Sequence, residues 1–418
     1  MSRRARAAGR RGTARRRAPE RENARWSVAD GEDEERAARA GAAGAAGPPG
    51  ARLAVSPALP ALPASRELPL FAELPELSGQ VPWRPLAHAP TPVVPCAAIE
   101  KYLGRGGVWV KRDDLISPLY GGNKVRRFEF LLADAERRGA RTLVTVGGLA
   151  STQVTATALF GRALGFAVTA VLFDQPITRF GRGALLADAA SGAELVHGGG
   201  YATTAVRAIR VLRRADRPYF ILPGASSALP CLGYVDAMLE LAAQVQRGEA
   251  PRPDRIVVPS GTGGTLAGLT LGAAVLGWPT TIVGVRITER IASNRAVVRY
   301  EIGSMKRLLA RRAPRFTRRR LPPVRFEIDH RAIGPGYGMP TPASIAAIPE
   351  VERLIGVPGE VTYSAKALAA LRGIAQERPR ETLLLWQTLS SARPPLAEGG
   401  AAALPPAFAR FFDGEIAY

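Results

Sequence analysis

From Thr142 onward, short apolar runs of strand type alternate with stretches of helical periodicity, and this alternation restricts the possible folds more than any other feature of the chain. The runs are Thr142 to Val146, Val168 to Phe173, Glu194 to Val196, Tyr219 to Leu222, Arg255 to Val258, Thr281 to Val285 and Thr382 to Trp386. Helical stretches separate most of them. Val125, Phe128, Leu132 and Ala135 recur at helical spacing, and Gly139 closes that helix. Thr152 to Leu164 reads as a second helix with Gly165 behind it, and Leu266 to Leu276 as a third. Strands joined through helices pair in parallel, so the pattern predicts an α/β fold of parallel sheets flanked by helices.

The chain has 418 residues, enough for one large domain or two medium ones, and its 46% hydrophobic content is ample for a buried core. No uncharged apolar run approaches the ~18 residues of a membrane span. Cys96 and Cys231 lie far apart, which fits a reducing compartment, the cytoplasm. His88, His197 and His330 are scattered, so no metal site is expected. The net charge of +21 raises the question of nucleic acid. Much of the excess sits in Ser2 to Arg25 and Arg307 to Arg325, and that distribution argues against sequence-specific binding. Residues 1–66 are rich in Ala, Arg, Gly and Pro and nearly lack aromatics, so they are expected to be a disordered tail. The arginine-rich start resembles a transit peptide, but Glu20 and Glu22 interrupt it, and no apolar segment follows Arg3-Arg4 as export would require.

Five segments carry residues suited to chemistry. Gly121-Gly122-Asn123-Lys124 stands just ahead of the first helix, in a chain whose only lysines are Lys101, Lys111, Lys124, Lys306 and Lys366. A primary amine that must become neutral and attack a carbonyl has to be lysine, since arginine keeps its proton. A surface lysine at a helix start is the plainer alternative. Ser260-Gly261-Thr262-Gly263-Gly264-Thr265 joins a strand to a helix. It is either a tight turn or an anion cradle of N–H groups and hydroxyls. Gly147-Gly148-Leu149-Ala150-Ser151-Thr152-Gln153 is a second such turn, where Ser151 either caps the helix or handles a substrate carboxylate or proton. Tyr337, in the rigid run Gly334 to Pro342, and Tyr363, just before a helix, either pack or move protons.

As a set, these segments resemble the family of D-cysteine desulfhydrases and 1-aminocyclopropane-1-carboxylate deaminases, which are pyridoxal-phosphate enzymes of the tryptophan-synthase-β fold type. The runs Pro90-Thr91-Pro92, Trp109 to Leu115 and Gly121 to Arg126, then the loop at 261–265 and the two tyrosine segments, follow the family's order and spacing, and the likeness covers about residues 68 to 395. It implies two open, twisted parallel-sheet domains with flanking helices and the cofactor in the cleft between them. The smaller would span about 125–230 and the larger the rest of 67–418. It implies that Lys124 is the Schiff-base lysine, with Asn123 beside it. Thr262, Gly263, Gly264 and Thr265 would hold the cofactor phosphate, and Ser364 would face the pyridine nitrogen. Ser151, Tyr337 and Tyr363 would be the catalytic hydroxyls.

Two positions bear on the reaction. Ser364 and Thr388 are of the desulfhydrase type, whereas Gln153 is of the deaminase type. Thr388, Gln153 and Ser151 are therefore the expected substrate contacts. Two runs depart from the family. Ser151-Thr152 replaces the usual Ser-Asn, which puts Thr152 where an asparagine supports the cofactor ring, and Thr388-Leu389-Ser390 replaces Thr-Gly-Gly. The resulting expectation is a pyridoxal-phosphate-dependent lyase, a homo-oligomer (dimer), that eliminates the β-substituent of a small amino acid such as D-cysteine. The alternatives are the deaminase reaction and a cofactor-binding homologue with little catalysis.

Overall fold

The computed structural model describes residues 59–414 and 416, and the part of the expected tail at 1–58 lies outside them. The expected boundary at residue 66 falls too late. Leu59 and Leu62 pack against a buried cluster around Phe128 and Phe160. The Arg66 guanidinium donates to Glu129 (2.9 Å) and Asp236 (3.4 Å), both of them buried.

Ten strands form two sheets. The first has six strands in the order β1-β2-β10-β7-β8-β9. These are β1 (Val93–Pro95), β2 (Val108–Arg112), β7 (Arg255–Ser260), β8 (Thr281–Arg286), β9 (Phe326–Asp329) and β10 (Leu383–Gln387). All its pairings are parallel except β1 with β2, an antiparallel edge that the strand-helix alternation does not anticipate. The second sheet has the order β5-β4-β3-β6 and is parallel throughout, built from β3 (Thr142–Gly148), β4 (Ala167–Phe173), β5 (Glu194–Gly199) and β6 (Pro218–Ile221). The central strands β7 and β10 are buried along their whole length, as expected where helices cover both faces.

The sequence-predicted helices appear as Val125–Arg137, Thr152–Ala163 and Gly264–Val275. Gly139 follows the first with φ +66°, the left-handed conformation that ends helices cheaply. Three strands went unread in the sequence. β1 has three residues and ends in proline, β9 is a four-residue edge, and β2 contains Lys111-Arg112. Lys111 nevertheless has no solvent exposure. Its Nζ donates to Glu240 (2.6 Å), Gln244 (2.6 Å) and the Thr91 carbonyl (2.7 Å). Arg126 bridges Asp113 and Glu240 in the same cluster, and Tyr234 and Trp386 donate to Asp113 Oδ2. Burial opposes every charge here, yet the fields of Arg126 and Lys111 keep the Glu240 carboxyl well below its usual range. Removing one partner from such a cluster typically costs about 3–5 kcal/mol, because a buried charge is left uncompensated. The cluster ties β2, β10 and the helix Ala228–Gln246 to the start of the helix that follows Lys124. Among the described residues, no helix is long and apolar enough to cross a membrane.

Candidate active site

The turn that carries Lys124 is bound to the ends of β2 and β10. Gly122 N donates to Asp113 O (2.7 Å), Asn123 N to Thr388 O (3.0 Å) and Gly121 N to Ser390 Oγ (2.8 Å). Gly122 has φ +89°, and a Cβ there would lie 2.3 Å from Thr388 O. Only glycine allows this approach. Leu389-Ser390, which departs from the family's two glycines, does not keep the backbones apart, because the Ser390 hydroxyl is itself one of the anchors.

Lys124 is 8% exposed and donates from Nζ to Asn123 Oδ1 at 3.0 Å. Burial, and then the field of Arg127, hold its pKa well below the usual lysine value, and no carboxylate offsets that fall. The surface-lysine alternative is thereby excluded, and the amine is set toward its neutral, nucleophilic form.

Beside it stands the glycine-rich loop. Gly263 has φ +82° and precedes the helix Gly264–Val275 with no side-chain cap, so the helix N-terminus is open. Thr265 Oγ1 accepts from Asn123 Nδ2 (3.2 Å) and from Arg127 Nη2. Arg127 also donates to the Gly224 carbonyl and to Ser226 Oγ (3.2 Å), and Ser226 is hydrogen-bonded to Thr262. Arg127 is 2% exposed, its Nε has no partner, and no carboxylate pairs with it within 4.0 Å among the described residues. A buried cation with no direct ion pair, three hydroxyls and an open helix N-terminus form a cradle for a dianion such as a phosphate. Together with the buried lysine amine, this donor set fits pyridoxal phosphate.

The opposite wall follows β3. Ser151 occupies the N-cap position of Thr152–Ala163, but its hydroxyl makes no capping bond. Capping therefore does not account for it, and Ser151 lines the cavity. Gln153 Nε2 donates to Thr145 Oγ1 (2.9 Å) and Leu222 O (3.2 Å), while its Oε1 is buried without a partner. At the third side, the Tyr337 and Tyr363 hydroxyls meet at 2.6 Å. Burial raises both phenol pKa values above the ordinary one, and the Thr152 hydroxyl counters part of the rise at Tyr363.

These walls enclose a cavity of ≈ 620 Å³. Of the sequence-predicted residues, Asn123, Lys124, Ser151, Gln153, Thr262, Gly263, Thr265, Tyr337 and Tyr363 line it. Thr152, Gly264, Ser364 and Thr388 are not on its wall. The Thr388 carbonyl anchors the Lys124 turn. Ser364 lies one layer back, donating to Glu360 Oε1 at 3.2 Å. Glu360 also accepts the N–H groups of Thr362, Tyr363 and Ser364. Its burial raises its pKa against those bonds.

Four residues of the site went unnoticed in the sequence: Arg127, Ser226, Glu289 and Glu360. Only Arg127 carried a legible signal, because three residues past Lys124 lies on the same helix face.

Comparison with known proteins agrees with this chemistry. Residues 85–386 match the family described as pyridoxal-phosphate dependent enzyme. D-cysteine desulfhydrase of Serratia proteamaculans is 34% identical over 316 residues, covering 72% of this chain and 91% of that protein. D-cysteine desulfhydrase of Salmonella paratyphi B is 33% identical over 310 residues, covering 70% and 88%. The crystal structure of an ACC deaminase homologue superposes with TM-score 0.64 at 26% identity, covering 79% of this chain and 97% of that one. A fungal L-serine ammonia-lyase from Rhizomucor miehei, at TM-score 0.50 and 18% identity over 73% and 95%, shares the fold. Matched over most of its length, and with a buried amine and a phosphate cradle on one cavity, the chain belongs to the pyridoxal-phosphate-dependent enzymes.

Proposed function

We propose that the protein is a lyase that removes the β-substituent of a small amino acid, releasing sulfide, ammonia and pyruvate when the substrate is D-cysteine. The observation that carries this reading is the Lys124 amine, buried and shifted toward neutrality, beside a cradle built for a phosphate. The two D-cysteine desulfhydrase relatives support the choice of substrate.

Pyridoxal phosphate, when bound, supplies an electron sink for the pair left at the substrate Cα. The protein's own groups do the rest. Thr262, Gly263, Gly264, Thr265 and Arg127 hold the phosphate. Lys124, as a neutral amine, takes the α-proton. The Ser151 hydroxyl, at the positive end of Thr152–Ala163, receives the substrate carboxylate. The Tyr337–Tyr363 pair holds a proton for the departing group. Ser364, backed by Glu360, would be the neutral partner on the pyridine side.

Deamination of 1-aminocyclopropane-1-carboxylate is the second reading, supported by the likeness to the ACC deaminase homologue and by Gln153. A cofactor-binding homologue with little catalysis is the third, supported by Thr152 and Leu389-Ser390. We also take residues of about 125–230 as a smaller domain within 67–418, since β3 to β6 pair only with one another. A dimeric enzyme of the cytoplasm is in keeping with its two free cysteines.

The test measures sulfide released from D-cysteine and 2-oxobutanoate released from the cyclopropane acid, together with mass spectrometry after borohydride trapping. Sulfide and an adduct on Lys124 are expected. 2-Oxobutanoate alone would transfer the assignment to the deaminase reaction, and absence of the adduct would end all three readings.

A further inference from the structure

The cavity, which must also take the cofactor, has a strongly aromatic wall. Phe173, Tyr201, Tyr337 and Tyr363 all line it. The Phe173 ring centre lies 4.9 Å from that of Tyr201 and 6.2 Å from that of Tyr337, and the Tyr337 and Tyr363 rings are 6.4 Å apart. In the same wall stands one carboxylate, Glu289. It accepts from Thr288 Oγ1 (2.6 Å) and from Tyr337 N (3.2 Å). A carboxylate has about four acceptor positions, so roughly half of its capacity is unused. No basic side chain pairs with it among the described residues. Arg286, the nearest in effect, donates instead to the Thr288 carbonyl at 3.0 Å. Partial burial works against the charge of Glu289, but its hydrogen bonds and the Arg286 field outweigh that and keep its pKa below the usual value.

An ionised carboxylate with no basic side chain within 4.0 Å among the described residues, though within the fields of Arg286 and Lys366, stands beside aromatic rings in an arrangement that can recognise a cation. The polarity of the cavity also orients a zwitterion. An α-carboxylate is drawn to Ser151 at the helix N-terminus and repelled from Glu289, so a second positive group would point toward Glu289.

We propose that Glu289, with Tyr201, Phe173 and Tyr337, forms a subsite for a positively charged group at the end of the substrate side chain. The preferred substrate class is then an amino acid with a cationic β-substituent, and D-cysteine, whose thiol carries no positive charge, would leave this subsite unused. This rests on the lyase reading given above.

The experiment titrates the cofactor-loaded enzyme with each enantiomer of 2,4-diaminobutyrate, ornithine and lysine. Each is compared with the neutral analogue that carries a hydroxyl in place of the terminal amine. None has a leaving group on Cβ, so the change in the cofactor's visible absorbance reads binding and not turnover. At one or more chain lengths the cation should bind about tenfold tighter than its neutral partner, equivalent to about 1.4 kcal/mol. Glu289→Gln keeps an acceptor for Tyr337 N and removes the charge, so the ratio should fall toward one. Equal affinities at every length in the unmodified enzyme, or a ratio unchanged by Glu289→Gln, would overturn the proposal. Failure to load the cofactor on Lys124 would instead overturn the lyase reading, so the two failures are separable.

Discussion

The hydroxyl of Tyr337 lies 2.6 Å from the hydroxyl of Tyr363, joining a loop after β9 to the start of the helix Ser364–Glu377 across the cavity. One of the two must donate and the other accept, so a proton can sit between them. Tyr337→Phe and Tyr363→Phe should each lower kcat on D-cysteine about 10²- to 10⁴-fold, the usual worth of a positioned proton donor, with the cofactor absorbance retained. Steady-state kinetics checks this. A tenfold loss or less would make the pair a packing feature.

Gly122 and Gly139 both have positive φ, but a Cβ at Gly122 would strike the Thr388 carbonyl whereas one at Gly139 would meet open space. Gly139→Ala should cost roughly 1–3 kcal/mol of strain. Gly122→Ala should cost more and, by displacing Lys124, should reduce cofactor loading. Thermal melting and absorbance of the two purified variants measure the difference.

Arg127 contributes a buried positive charge to the cradle through its contact with Thr265. Charge-assisted hydrogen bonds are worth about 1.5–3 kcal/mol, so Arg127→Met should weaken pyridoxal phosphate binding about 10- to 150-fold by equilibrium dialysis. Arg127→Lys should recover part of the loss. Because Arg127 also depresses the pKa of Lys124, the methionine variant should shift the alkaline titration of that amine upward.

Asp188 is 1% exposed, and its Oδ1 has no partner. Burial raises its pKa to about 8, partly countered by the neighbouring Thr155. The folded protein therefore keeps this proton up to about pH 8, whereas an unfolded aspartate releases it near 3.9. In that window the folded state binds more protons, so this residue's contribution to stability falls as pH rises, by up to about 1.4 kcal/mol per pH unit. Asp188→Asn should flatten that fall. Melting temperatures of both proteins at pH 5 and pH 8 give the comparison, and parallel curves would refute it.

The parts legible in the sequence were those whose signal is local. Lys124 and its two glycines, the 261–265 turn and Ser151 all lie just ahead of a helix, where the residues alone left a structural reading open and the family resemblance favoured the chemical one. Strand β2 was not legible because Lys111 looks solvent-exposed until Glu240, 129 residues away, is seen to neutralise it. Arg127 meets Thr265 at a separation of 138 residues, and Glu289 reaches Tyr337 only because the end of β8 faces that loop. Thr388 has a role that the sequence did not show, since its carbonyl holds the Lys124 turn.

The turn holding Lys124 is fastened to Asp113, Thr388 and Ser390, at the ends of β2 and β10, while Ser151 stands at the end of β3 in the other sheet. The amine and the hydroxyl proposed to act on one substrate are thus mounted on separate platforms. Any tilt of one platform against the other changes their spacing directly, so reactivity becomes a mechanical property of the joint as much as a chemical property of either group.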